Sequence, residues 1–381
     1  MGTFILRNAS FVLPDEVIDN AALAVRDGEI TEILTGGGGD GEEIDLGGAT
    51  VYPGFIDVHI HGAVGVDTNA ADAGDLRKLA GFLAANGVTA WLPTIVPDSD
   101  QDYRRVVEEV DALIESGDDD PVARAVGIHY EGVFANEKMC GALRPEYFKK
   151  FTGSEVAELP RLRNGAHMIT IAPEVEGGIE LIRELCREGW TVSIGHTKAD
   201  GEILNAAFAA GARHLTHFYN AMTGLHHREV GVVGWAFSKS EVTFDIIADG
   251  VHVHPDMLRF ACLSKGANKV SLISDAVLPT GMGDGEFEIW GEQVSVVEGR
   301  TQNERGSIAG SVITMRDAAK RMLSLGFFPP DVARMASLNP AKLLGIDDSY
   351  GSIEIGKRAD LVALNENGEV VMTMIGGKIV K

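Results

Sequence analysis

Gly54-Phe55-Ile56-Asp57-Val58-His59-Ile60-His61-Gly62 is an apolar run that finishes on two histidines one residue apart. Strand side chains alternate between faces with a period of two, so His59 and His61 share a face and can grip one cation together. Four more runs of this kind follow in order. Ala125-Val126-Gly127-Ile128-His129-Tyr130 leads to Glu131, and Val192-Ser193-Ile194-Gly195 leads to His196. His214-Leu215-Thr216 leads to His217, and Val270-Ser271-Leu272-Ile273-Ser274 leads to Asp275. A strand-like run that closes on a metal ligand or a base is how a parallel barrel delivers chemistry at its C-terminal mouth. One such run means little. Five in order along one chain point to a hydrolytic metal site.

Outward from this stretch the pattern changes. Pro53-Gly54 punctuates the chain, and residues 1–52 before it read as short strands and tight turns, with a turn at Asp27-Gly28. Gly36-Gly37-Gly38-Gly39 lacks the Lys-Ser/Thr of a phosphate loop and no helix follows it, so it reads as a hairpin tip. From Phe55 to about Gly345 strands alternate with helices. The apolar spacing of Leu76, Leu79, Ala80 and Leu83 predicts a helix over 71–86, with Gly87 as its left-handed stop. A second amphipathic helix covers 103–115, followed by an exposed Asp118-Asp119-Asp120 link. Further helices are expected over 179–188, 202–210, 256–264, 311–325 and 330–336. Repeated strand-then-helix units imply parallel strands, and about eight of them imply a closed (β/α)8 TIM barrel. From Gly351 onward strand and turn return. Each β-rich end is too short to bury a core alone. The expected division is therefore a small β-sandwich domain built from residues 1–52 and 349–381, beside a metal-dependent barrel over 53–348.

The 381 residues carry a formal net charge of −23, which argues against nucleic acid, whose phosphates need basic partners. That charge also opposes any phosphorylated substrate, so the few cations near the mouth gain interest. No apolar stretch approaches the ~20 residues of a membrane span, and no signal peptide is visible. Cys140, Cys186 and Cys262 are widely spaced, as expected of reduced thiols in a cytoplasmic protein.

Taken singly, Glu131, His196 and His217 are the kind of residue that caps a strand or pairs on a surface. Together on separate strands they form a His/Glu set suited to zinc or iron. Asp275 could be a turn residue or helix cap. A site that activates water also needs a carboxylate to take a proton and pass it to the leaving group, and Asp275 fits that role.

These motifs resemble the amidohydrolase superfamily and, within it, the N-acetylglucosamine-6-phosphate deacetylase family. The resemblance rests on Pro53 to His61, Gly127-Ile128-His129-Tyr130-Glu131-Gly132 and Gly141-Ala142-Leu143-Arg144-Pro145. Ser193-Ile194-Gly195-His196-Thr197 and Thr216-His217-Phe218-Tyr219-Asn220-Ala221-Met222 add to it, as do His227-Arg228-Glu229-Val230-Gly231 and Ile247-Ala248-Asp249-Gly250-Val251-His252. Ser274-Asp275-Ala276 and Ser307-Ile308-Ala309-Gly310-Ser311 complete the series, which covers nearly the whole chain. The resemblance implies that Glu131, His196 and His217 hold the main catalytic metal and that His59 and His61 help hold a second, giving one or two ions per subunit. It implies that Asn220 and the backbone at Ala221 bind the sugar phosphate and that His252 contacts the sugar or acetamide. It implies a homodimer in which Arg228 reaches the phosphate bound by the neighbouring subunit. Two positions depart from the family pattern. Leu143 stands where many members have histidine, and Val133 where proline is frequent.

The implied activity is metal-dependent hydrolysis of the acetamide of N-acetyl-D-glucosamine 6-phosphate. The rival readings are the galacto epimer, a cyclic amidase or deaminase on the same barrel, and a non-catalytic scaffold. The fold alone does not separate them. Intact ligands and Asp275 speak against the scaffold. Cys140 reads either as a thiol in the ligand pocket or as an ordinary loop or core cysteine.

Overall fold

The computed structural model describes residues 3–35, 41–117, 121–153 and 155–380. The glycine run at Gly36 to Gly39 and the Asp118 to Asp120 link lie outside them. Eight parallel strands stand side by side in chain order: Phe55–Ile60, Val88–Ile95, Gly127–Phe134, Ala166–Ile171, Thr191–Ile194, His214–Leu215, Thr243–Ile247 and Val270–Ile273. The eighth returns to the first. The Asp275 N–H donates to the His59 carbonyl at 2.9 Å, and the buried Asp57 carboxylate accepts from the Ser274 hydroxyl at 2.5 Å and the Ser274 N–H at 3.3 Å. Burial pushes the Asp57 carboxyl up to about 6, and the bonds from Ser274 and His59 hold it back only in part. The α/β alternation read from sequence thus closes into a (β/α)8 barrel.

Two apolar layers account for this closure. Inside, Ile56, Val58, Ala90, Leu92, Met168, Ile247 and Ile273 pack together. Outside, Leu76, Leu79 and Leu83 of the helix Ala73–Ala85 and Val106 and Val110 of the helix Asp100–Glu115 join Trp91, Tyr130 and Ile169 in the larger core. Asp72 and Ser99 cap these two helices by accepting backbone N–H groups of the first turn. Between the inner core and the mouth runs a buried polar chain, in which His129 Nε2 lies 2.8 Å from Thr170 Oγ1, and Thr216 Oγ1 lies 2.7 Å from Thr170 and 2.6 Å from Ser193. Its members satisfy one another, as buried polar groups must.

The chain ends meet in a separate seven-stranded sheet, in the order Lys378–Ile379, Val370–Ile375, Leu361–Leu364, Glu42–Pro53, Thr3–Val12, Val17–Arg26 and Glu29–Thr35. It encloses its own cluster of Leu6, Phe11, Leu23, Ile30, Val51, Leu361 and Met374 and fits a small β-sandwich. Gly54 marks the passage to the barrel. A Cβ there would sit 2.2 Å from Thr89 Oγ1, so no larger residue fits without displacing the second strand.

Several elements depart from the expected pattern. A helix at Gly231–Ser238 follows the sixth strand. The expected 330–336 helix is instead Pro329–Ala333, continued by a π-helical turn Arg334–Leu338 and a helix Asn339–Leu344. After the eighth strand, Gly285–Ile289, Glu292–Val297 and Arg300–Asn303 form a three-stranded antiparallel sheet. Its residues alternate between exposed and buried and lack the apolar runs of the barrel strands. Among the described residues, no helix is long and apolar enough to cross a membrane.

Asp57 ties the last strand to the first, so Asp57→Ala strands the donors of Ser274 and His59 in a dry interior. A loss of about 2–4 kcal/mol is expected. Denaturant unfolding of metal-replete protein measures it, and Asp57→Asn should recover part of the loss.

Candidate active site

At the C-terminal mouth the five runs converge. His59 Nε2 and His61 Nε2 lie 3.1 Å apart. His196 Nε2 and His217 Nε2 are 3.0 Å from one another, and each is 3.0 Å from Glu131 Oε1. The same oxygen is 3.4 Å from His59 Nε2, while Oε2 faces His61 Nε2 at 3.3 Å. Asp275 Oδ1 lies 3.4 Å from His59 and 3.3 Å from His61. Two groups of possible cation ligands result, His59 with His61 and Asp275, and Glu131 with His196 and His217, all six residues buried. Glu131 stands between the two groups.

The backbone is bent to bring this about. His196, His217 and Asp275 have φ of 47°, 34° and 50°, in the left-handed region that side-chain-bearing residues avoid. Such a conformation costs on the order of 1–3 kcal/mol per residue and persists only where the surroundings over-determine it. Here they do. The His217 N–H donates to the buried Asp245 carboxylate, whose other oxygen is 3.2 Å from His214 Nε2. His196 Nδ1 donates to the Met139 carbonyl at 2.8 Å, which fixes the ring with Nε2 toward Glu131. The Asp275 carbonyl accepts the Ser311 N–H at 2.7 Å.

Burial alone would raise the Glu131 carboxyl, yet His59, His196 and His217 hold it well below the ordinary range. Burial likewise lowers His61, but Asp275 and Glu131 outweigh it and raise the ring to about 10. His217 is raised to about 9, with burial again opposing and Glu131 prevailing. Four imidazole nitrogens and two carboxylates within 3.4 Å of their neighbours are too crowded with donors and acceptors to be satisfied by protons alone. A nitrogen and oxygen donor set of this kind fits one or two divalent cations.

The mouth opens into a cleft of about 260 Å³, near the lower end of the range of small-molecule sites. It is lined by His61, Glu131, His196, His217 and Asp275 and by the expected Asn220, Ala221 and His252. His59 lies buried beneath it. Asn220 Nδ2 donates to the His217 carbonyl at 3.2 Å, and the Ala221 carbonyl accepts the Thr197 N–H at 3.1 Å. His252 Nδ1 is 2.6 Å from Asp249 Oδ2, which orients the ring. Leu143 is buried and lines the same cleft with no polar atom. Val133 is packed in the outer core, and Cys140 packs beside Leu143 without lining the cleft. Arg228 is not brought to the cleft. It is exposed in the loop before Gly231–Ser238, its Nη1 2.6 Å from His227 Nε2.

Several residues at the site were missed. Asp57 and Asp245 carry the only signal a sequence offers, a carboxylate inside an otherwise apolar strand. Trp290, from the unanticipated sheet, packs edge-on against the His61 ring at 5.2 Å and lines the cleft. Nothing in a single sequence marks it.

A closed barrel with this mouth defines a metal-dependent hydrolase of the amidohydrolase type, and comparison with known proteins agrees. Residues 50–380 match the amidohydrolase family model, and the chain belongs to that family. It is 36% identical over 391 residues to the N-acetylglucosamine-6-phosphate deacetylase of Bacillus subtilis (strain 168), covering 99% of this chain and 97% of that one. It is 35% identical over 388 residues to the N-acetylgalactosamine-6-phosphate deacetylase of Escherichia coli O157:H7, covering 99% of both. The fold is similar, with a TM-score of 0.92 and 29% identity over 100% of both chains, to an aspartate-to-alanine variant of N-acetyl-D-glucosamine-6-phosphate deacetylase from Mycobacterium smegmatis in complex with N-acetyl-D-glucosamine-6-phosphate.

Because His61 and His217 hold protons at pH 7 in the metal-free site, cation binding must expel them. Metal affinity is therefore expected to rise with pH, with at least one proton released per cation near pH 7. Calorimetry in buffers of different ionisation enthalpy reads that release directly. Glu131→Gln should weaken both positions, His196→Ala chiefly one.

Proposed function

We propose that this chain hydrolyses the acetamide of N-acetyl-D-glucosamine 6-phosphate to D-glucosamine 6-phosphate and acetate, in amino-sugar catabolism. The observation that carries the reading is the Asp275 carboxylate held 3.3 Å from His61, with both groups of possible cation ligands meeting at one cleft. The names of its relatives supply the substrate class. The positions of the site residues support the following roles. Glu131, His196 and His217 hold one cation, and His59 and His61 with Asp275 face a second. Zinc or iron suits the donor set, zinc the better. When bound, the cation lowers the pKa of water and polarises the acyl carbonyl. Asp275 accepts the proton of the attacking water and returns it to the departing amine nitrogen. Asn220 and the Ala221 backbone hold the sugar phosphate, and His252, fixed by Asp249, contacts the sugar or acetamide. As domains, residues 53–348 form the catalytic barrel, and 1–52 with 349–381 the small β unit.

The cleft poses the charge problem sharply. Among the described residues that line it, none is lysine or arginine. A phosphate would need a cation from elsewhere, which supports a homodimer in which the exposed Arg228 enters the neighbouring site. Its guanidinium fork suits phosphate. The loop around it presents Leu225 and Val230, 63% and 54% exposed, as apolar surface for such a contact. Three free cysteines support a reducing, cytoplasmic setting.

The galacto epimer is the second reading, favoured by the near-equal identity to a deacetylase of that substrate. A panel of both epimers, with and without phosphate, on metal-analysed protein decides between them. No turnover of any would reject the deacetylase reading.

Asp275→Asn should retain fold and metal and lose about 10²–10⁴-fold in turnover. Near-normal activity would remove Asp275 from proton transfer. Arg228→Ala should lose about ten- to a hundred-fold in kcat/KM on phosphorylated substrate while leaving the slow reaction of the unphosphorylated sugar unchanged. Mixing Arg228→Ala with Asp275→Asn subunits should restore one competent composite site per heterodimer. Without recovery, Arg228 acts within its own subunit.

A further inference from the structure

The three-stranded sheet after the eighth barrel strand has one bulky aromatic residue in an improbable place. Ile289 pairs with Glu292, so Trp290-Gly291 is a two-residue hairpin turn, with φ of 53° and 80°. Turns with positive φ at both central positions favour asparagine, aspartate and glycine. A bulky aromatic residue there is an outlier. Strained residues of this kind cluster where the side chain has a task.

The indole does not turn to solvent. It packs against both the cluster of Val96, Ala135 and Leu143 and that of Val277, Ile289, Val294 and Ala309. Its ring stands 5.2 Å from the His61 ring at 80°, and with Leu143 it lines the cleft. Around the barrel these positions form one arc: Trp290 follows the eighth strand, His61 the first, and Leu143 the third. Most of the residues able to bind hydroxyls and phosphate lie on the other arc, Asn220 and Ala221 after the sixth strand and His252 after the seventh, while Ser307 of the lining follows the eighth. The scissile carbonyl must lie between the arcs, at the ligand groups and Asp275. Of its two substituents, the polar sugar suits the second arc, and the acyl carbon chain is left facing Leu143 and Trp290.

We infer that Trp290 sets the acyl-chain length this enzyme accepts: its indole, backed by Leu143, walls the space beside His61 and admits a two-carbon acyl group but not a longer one. The inference rests on the amide-hydrolase reading above and goes beyond it by naming what selects the acyl group. One methylene in an apolar pocket is worth roughly 10–200-fold in discrimination, so wild-type protein should prefer N-acetyl over N-propionyl and N-butyryl glucosamine 6-phosphate by at least about tenfold per step.

The test is the ratio of kcat/KM for the N-propionyl and N-acetyl substrates, measured on metal-replete wild type, Trp290→Ala and Trp290→Phe. Trp290→Ala should raise the ratio about tenfold or more, and Trp290→Phe by less, with the pH profile unchanged. A merely structural tryptophan would lower both activities together and leave the ratio where it was, which would overturn the inference while leaving the deacetylase reading intact. A wild type that already takes the longer chains as well as acetyl would also overturn it. If wild type hydrolyses none of the N-acyl sugar phosphates, the deacetylase reading itself fails. If Trp290→Ala does not fold, the ratio for Trp290→Phe decides alone.

Discussion

Glu131 is the residue on which the mouth depends. One carboxylate oxygen faces His196, His217 and His59, and the other faces His61, so a single side chain spans both ligand groups. Burying a carboxylate costs several kcal/mol unless partners replace its water. Here the imidazoles more than offset that cost, since the carboxyl lies well below its ordinary range despite burial. The arrangement works only if the first, third, fifth and sixth strands end at the same height. That is a requirement on the whole barrel, met by closure between the eighth strand and the first.

Closure and chemistry therefore share parts. Asp57 joins the first and last strands, and two residues along the chain stands His59, one of the possible cation ligands. Asp245, inside the seventh strand, takes the N–H of His217, a member of the other group of possible ligands, and fixes its left-handed turn. The strained turns at His196, His217 and Asp275 swing side chains inward that a continuing strand would direct past the mouth. Rigid buttresses of this kind place reacting groups more accurately than loops could.

Much of this was legible along the chain. Alternating strand and helix signals gave the barrel because a parallel strand must be buried on both faces, and its apolar runs are conspicuous. His59, His61, Glu131, His196, His217 and Asp275 were legible as a set because each ends such a run, and the fold brings them together. Asn220, Ala221 and His252 were reached through family resemblance, and the cleft contains all three. The antiparallel sheet at 285–303 escaped, since strands exposed on one face and short in length leave no run to read. Arg228 was legible as a motif residue, yet the single chain leaves it exposed and away from the cleft.

What the sequence determined by itself is the inventory and the order: which strands exist, which residues close them, and which side chains could hold a cation or move a proton. Periodicity and residue type are local properties, so they survive without a fold. What only the tertiary structure decided is adjacency. Asp57 meets Ser274 across 217 positions, Glu131 meets His217 across 86, and Trp290 meets His61 across the mouth. Those distances are set by closing the sheet into a ring. No local pattern encodes which ends will then face one another at 3 to 5 Å.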